Sequence, residues 1–155
     1  QAAAALDHAH AGRVIHRDLK PANIMVQADG KVLVMDFGLA HQVRRSASRE
    51  TSAASWGSPA YMAPEQELGT VSAASDIYAL GACFYEVVTG RTPFNGSDAL
   101  ERKQGMLFTP PTEHVPSLPA ATDALMRRAL HARPQERFQT AAELALAVTN
   151  LGPAS

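Results

Sequence analysis

The stretch His16–Gly38, HRDLKPANIMVQADGKVLVMDFG, decides how this chain is read. It places Asp18, Lys20 and Asn23 within six residues, and a further carboxylate, Asp36, directly after an apolar run. Pro21 forbids a regular helix across the first group, so a loop must present a carboxylate, an ammonium and an amide together. Such a carboxylate can accept a hydroxyl proton or orient a nucleophile. A nearby lysine can offset charge on a transferring phosphoryl group, and an Asn carbonyl is a hard oxygen ligand suited to Mg²⁺.

The spacing between the two groups predicts that they meet. IMV (24–26) and KVLVM (31–35) are short strand candidates, and the Asp29-Gly30 pair between them is a hairpin signal. A hairpin brings Asn23 and Asp36, at the outer ends of its strands, close in space. Gly38 permits unusual backbone angles just beyond. Two oxygen ligands at the open end of a hairpin make a metal–phosphate site.

The rest of the chain sets bounds on that reading. With 155 residues, 46% apolar and 19% charged, it is long enough to bury one core and too apolar for disorder. A net charge of −1 gives no general basic field for nucleic acid or anionic lipid. Arg44, Arg45 and Arg49 read as a solvated loop face. The single cysteine, Cys83, excludes an intrachain disulfide, fits a reducing cytoplasmic compartment and falls where a core residue is expected. QAAAAL lacks the basic region of a secretory signal, and the longest apolar run, IYALGACFYEVV, is too short to span a bilayer. A soluble domain without a membrane segment is expected, and the Gln1 start points to a fragment.

The pattern beyond the hairpin is helical. Residues 1–11 are Ala-rich up to Gly12, a candidate C-cap, and VI (14–15) is a further strand candidate. Residues 41–58 are polar, without an apolar period, and form a long loop. Ile77, Leu80, Gly81, Phe84, Val87 and Val88 recur at helical spacing, while Tyr78, Ala82, Cys83 and Tyr85 make the other face apolar, so this helix should be central and buried until Gly90 stops it. A second helix surrounds Leu125–Leu130 with Pro119 near its start, and 97–107 holds a shorter one. Thr140 and Glu143 predict a capping box for a last helix ending at Gly152-Pro153. His8 and His10, two apart, lie on different helix faces and make a poor metal pair.

The spacing H-R-D-x-K-x-x-N, then Asp36-Phe37-Gly38, then Ala63-Pro64-Glu65, resembles the catalytic lobe of the protein kinases. GSPAYMAPEQ (57–66) and SDIYALGACFYEVVTGRTPF (75–94) are most similar to the bacterial eukaryotic-like Ser/Thr kinases. The resemblance covers residues 1–150, with 151–155 the start of a linker or tail. It implies a mainly α fold with a few short β-strands, the C-terminal lobe of a protein-kinase-like fold with the small lobe absent. The implied activity of the parent is ATP-dependent phosphorylation of Ser/Thr in protein substrates.

Carried onto this chain, the resemblance makes Asp18 the catalytic base and Lys20 the γ-phosphate contact. Asn23 and Asp36 would hold two Mg²⁺ ions, with Mn²⁺ as an alternative, and Met25 would lie beneath the adenine. Ser58, in place of the commoner Thr, would tie the substrate loop to Asp18 and Lys20. The DLKPxN form matches Ser/Thr rather than Tyr kinases. Arg17 is a natural phosphate receptor, with Thr51 and Ser52 the regulatory phosphosites that would face it. Asp76 should accept backbone N–H groups of the catalytic loop, Glu65 should pair with Arg137, and His16 should pack beneath Phe37. Arg133 stands where relatives more often carry Asp.

No Gly-rich phosphate loop or VAIK-type lysine precedes His16. The fragment alone is therefore expected to have little or no activity, and its bared cleft floor, Met25 and Phe37, to favour self-association. A dimer of the parent and a membrane anchor beyond Ser155 are compatible with the resemblance. Two other readings are a lobe-only or pseudokinase-like binding module and a small-molecule phosphotransferase. The intact Asp18, Lys20, Asn23 and Asp36 speak against the first, and the Ala63-Pro64-Glu65 segment with its long preceding loop speaks against the second.

Overall fold

The computed structural model describes residues 1–37 and 58–152. Along the chain these form α1 (Ala2–Ala11), a 3₁₀ turn (Pro21–Asn23), β1 (Ile24–Val26), β2 (Val32–Val34), α2 (Pro64–Glu67), α3 (Ala73–Thr89), α4 (Ala99–Gln104), α5 (Pro111–His114), α6 (Ala121–Ala129), a second 3₁₀ turn (Pro134–Glu136) and α7 (Ala141–Thr149).

β1 and β2 pair antiparallel with Ile24 opposite Val34 and Val26 opposite Val32. Gly30 takes a left-handed φ of 81°, and Asp29 Oδ1 accepts from Lys31 N at 3.0 Å, so the Asp-Gly pair closes the hairpin as its chemistry predicts. Val14 and Ile15 form no strand, and Val14 is exposed. The turn after α1 removes them from pairing: Gly12 keeps an ordinary φ of −80°, and Arg13 takes the left-handed conformation, φ 58°.

α3 is the centre. Ile77, Tyr78, Ala82 and Tyr85 face a cluster with Phe94, Met126, Leu130, Phe138 and Leu144. On the other side, Ala79 and Cys83 face Ala3, Leu6, Leu19 and Ala141, the base under the hairpin. One edge escapes burial, since Val87 is 75% exposed. The helix opens on a reciprocal Ser72–Ser75 cap and ends at Gly90, whose φ of 70° is the left-handed stop. Gly81 allows α6 to approach: a Cβ there would lie 2.9 Å from the Ala129 Cβ.

α7 begins as the capping pattern predicts at one atom and not at the other. Thr140 Oγ accepts from Glu143 N, but Glu143 Oε2 reaches back to Gln139 N instead of Thr140 N. Asp7 of α1 adds a second cap, its two oxygens accepting from Ala141 N and Ala142 N at 2.9 and 2.8 Å. α7 closes at Thr149, short of Gly152.

A buried ion pair joins the two ends of the helical part. Arg137 is 1% exposed and forks onto Glu65 through two 2.7 Å bonds, Nη1 to Oε1 and Nη2 to Oε2. Its remaining donors go to the carbonyls of Ala74, His131 and Ala132, and its guanidinium lies 4.8 Å over the Tyr78 ring. Every guanidinium donor direction is thus used, which is the condition under which a buried pair offsets its own desolvation.

Arg137→Met should lower unfolding free energy by about 3–5 kcal/mol in urea denaturation, because it strands the Glu65 carboxylate. Burial pushes the Cys83 thiol up to about 12, with the Glu86 charge acting the same way. A thiol reagent at pH 8 should leave folded Cys83 unmodified and label it within minutes in denaturant. The raised folded-state value also means that the thiol's stabilising contribution is complete below pH 9 and lost as pH rises toward 12.

Candidate active site

The loop from His16 to Asn23 has no strand or helix to shape it until the 3₁₀ turn, so buried polar atoms do so. Asp76, in the first turn of α3 and 1% exposed, accepts His16 N on Oδ2 at 2.8 Å and Arg17 N on Oδ1 at 2.9 Å. His10 Nε2 reaches the same Oδ2 at 2.8 Å. Gln66 donates to Arg17 O from α2. Held at both its N–H and its carbonyl, Arg17 adopts φ 73°, a conformation that costs a non-glycine residue on the order of 1 kcal/mol.

His16 links the loop to the hairpin. Its Nε2 contacts Met35 O at 2.7 Å and its Nδ1 accepts Asp18 N at 3.3 Å, so the Nε2–H tautomer satisfies both. Its ring meets Phe37 edge-on, centroids 4.7 Å apart. Asn23, 7% exposed, donates Nδ2 to Asp18 O at 2.8 Å, and its own carbonyl accepts Met35 N at 2.8 Å. The hairpin register therefore sets Asn23 beside Met35, with exposed Asp36 one residue on at φ 62°.

The carboxylate of Asp18 is the meeting point. Oδ1 accepts Ser58 N at 3.1 Å, and Oδ2 pairs with Lys20 Nζ at 2.9 Å. Lys20 Nζ also approaches Ser58 Oγ at 3.4 Å. The Asp18 and Lys20 side chains are 29% and 28% exposed, so solvent and a bound molecule can reach them. Two of the roughly four acceptor directions of a carboxylate are used, leaving others for a hydroxyl.

Among the described residues no three His, Cys, Asp or Glu side chains group as a metal site. The donors at the hairpin end are few and hard: the Asn23 amide oxygen, its nitrogen being engaged with Asp18 O, and the Asp36 carboxylate. That set suits Mg²⁺, which retains waters and takes phosphate oxygens to complete its shell. Met25 stands on β1 at 45% exposure, presenting an apolar surface beside these donors.

Thr51 and Ser52, together with Gly38, lie outside the described residues. Arg17 is half-buried, and among the described residues its guanidinium makes no ion pair. Three contributors carry no local signal in the sequence. His10 meets a partner 66 residues away, Gln66 sits inside a run already read for Glu65, and Lys103 belongs to the charged run ERKQ of a short helix. Lys103 is nonetheless fully buried; burial lowers its pKa, with the Glu67 hydrogen bond and charge opposing. Among the described residues no helix is long and apolar enough to cross a membrane.

Comparison with known proteins places this geometry in context. The family described as protein kinase domain matches residues 1–147. The chain is 42% identical over 145 residues to the serine/threonine-protein kinase PknB of Mycobacterium tuberculosis, covering 90% of this chain and 23% of that protein. A probable serine/threonine-protein kinase of Corynebacterium efficiens is 44% identical over 151 residues, again with 23% of its length covered. The crystal structure of the Mycobacterium tuberculosis PknI kinase domain matches with a TM-score of 0.72 at 28% identity, over 97% of this chain and 51% of that one. The chain thus spans about a quarter of these curated relatives and half of a solved kinase domain, and it belongs to the protein kinase domain family.

Proposed function

We propose that the parent protein transfers the γ-phosphoryl group of ATP to Ser or Thr hydroxyls of protein substrates, and that residues 1–150 supply the substrate-facing, catalytic part of that domain. The observation that carries this reading is the Asp18 carboxylate, tied at once to Lys20 and to the backbone of Ser58 and still open to solvent. The PknB relatives, serine/threonine-protein kinases by name, support the substrate class.

In this reading Asp18 accepts the hydroxyl proton as the oxygen–phosphorus bond forms and the bond to the ADP leaving group breaks. Lys20, 2.9 Å from Asp18, offsets charge on the transferred group. Asn23 and Asp36 would hold Mg²⁺, which when bound shields phosphate charge. Met25 offers its exposed side chain to the adenine ring. Ser58 orients the acceptor segment against the base. Arg17 would receive a phosphate on Thr51 or Ser52, drawing the segment before Ser58 toward the catalytic loop.

In the full-length protein, Asp18→Asn should lower kcat for a Ser/Thr acceptor by at least about 100-fold while KM for ATP changes little. Equal rates for the two proteins would overturn the role given to Asp18. Residues 1–155 taken alone, which carry no Gly-rich phosphate loop, should phosphorylate the same acceptor at no more than a trace of the full-length rate.

A further inference from the structure

Ser58–Met62, the segment that meets Asp18, has neither strand nor α-helix of its own. Two turn bonds, Tyr61 N to Ser58 O at 3.0 Å and Met62 N to Pro59 O at 3.3 Å, curl it. Its side facing away from Asp18 is held from below. Lys103, fully buried on α4, donates to Pro59 O, to Met62 O at 2.9 Å and to Glu67 Oε1. An ammonium has three protons and no acceptor, and here each proton has a separate acceptor. The neighbouring cation, Arg102, does something different: it caps its own helix end at Leu107 O.

We propose that Lys103 is a positioning residue for the acceptor side of the site, setting the path of Ser58–Met62 and thereby where a substrate hydroxyl meets Asp18. The link is short. Lys103 binds Pro59 O, the adjacent Ser58 N binds Asp18 Oδ1, and Ser58 Oγ faces Lys20. Tyr61, donating to Glu86 Oε2 at 2.6 Å, pegs the same segment to α3 through a side chain, whereas Lys103 grips its backbone. No apolar side chain at 103 could replace that grip, because the carbonyls of Pro59 and of buried Met62 would both lose this donor. An arginine brings a larger, planar head that does not fit three convergent acceptors as a compact ammonium does. The inference rests on the reading of Asp18 as the residue that faces the substrate hydroxyl. It adds that the acceptor side has a tether of its own, since the three hydrogen bonds of Lys103 go to Pro59, Met62 and Glu67 and to neither Asn23 nor Asp36.

The test compares the unaltered full-length protein with Lys103→Met and Glu67→Gln. Dephosphorylated casein serves as acceptor, ATP hydrolysis is followed without acceptor, and hydrogen exchange is read at residues 60–63. Lys103→Met should lower kcat/KM for casein by about 10-fold or more, with KM for ATP and acceptor-free hydrolysis within about 2-fold. Exchange at 60–63 should quicken by about 10-fold while α3 stays protected. Glu67→Gln keeps both carbonyl contacts and should show the same selective pattern at about 2- to 3-fold. A proportional loss of casein phosphorylation and ATP hydrolysis in Lys103→Met, or no change in casein kinetics and exchange, overturns the proposal. Should Lys103→Met fail to fold, an unchanged Glu67→Gln overturns it and a selective loss sustains it. If the unaltered protein phosphorylates no acceptor, the proposed function falls, while the exchange comparison still decides whether Lys103 holds the segment.

Discussion

The carboxylate of Asp76 is the constraint on which the site depends. It sits in the first turn of α3, where the aligned peptide dipoles favour negative charge, and is almost wholly buried. It is compensated by the amides of His16 and Arg17 and by His10. Those two amides are consecutive, so accepting both fixes the direction of the chain immediately before Asp18. The left-handed Arg17 stands between this anchor and a second one, since its own carbonyl accepts from Gln66. The longest helix among the described residues thus determines the aim of a loop that has little structure of its own.

α2 works by the same means on the opposite bank. Three successive side chains of this four-residue helix each grip a different neighbour: Glu65 takes Arg137, Gln66 takes Arg17 O and Glu67 takes Lys103. The helix is too short to be stable alone, since nucleation is costly and few bonds follow it. Its geometry comes from tethers to Arg137 at the end of the second 3₁₀ turn, to the His16–Asn23 loop and to α4. Ser58–Met62 leads straight into it and inherits its placement.

What could be read from the sequence follows from the range of the interactions. The hairpin depends on Asp29-Gly30 and its immediate neighbours, and α3 on a repeated apolar spacing with Gly90 at its end, so both were legible. Asp18, Lys20 and Asn23 lie close along the chain, and the pattern they make with Asp36 carries the resemblance. The misreadings are local choices between near-equal alternatives: Val14 and Ile15, just after the left-handed Arg13, form no strand, and Glu143 selects Gln139 N over Thr140 N. Lys103 and His10 were illegible for another reason. A lysine within a charged run reads as solvated, and only the fold reveals acceptors 36 to 44 residues back along the chain.

Buried ion pairs are poor sources of net stability, because desolvation consumes most of the attraction. Their concentration around α2 therefore has its effect in geometry more than in free energy. Arg137–Glu65 and Lys103–Glu67 each leave a buried cation fully partnered, and a fully partnered cation tolerates few alternative arrangements. An apolar contact in the same places would permit sliding and rotation of a short helix and a loop. The proposed phosphoryl transfer would ask the protein chiefly for positioned charge, and the Ser58 N–H bond to Asp18 Oδ1 would pass any displacement of Ser58 on to that carboxylate. On that basis the side chains that fix the fold around α2 and those that would perform the chemistry form one continuous network, from Arg137 and Lys103 through Glu65, Glu67 and Pro59 to Ser58 and Asp18.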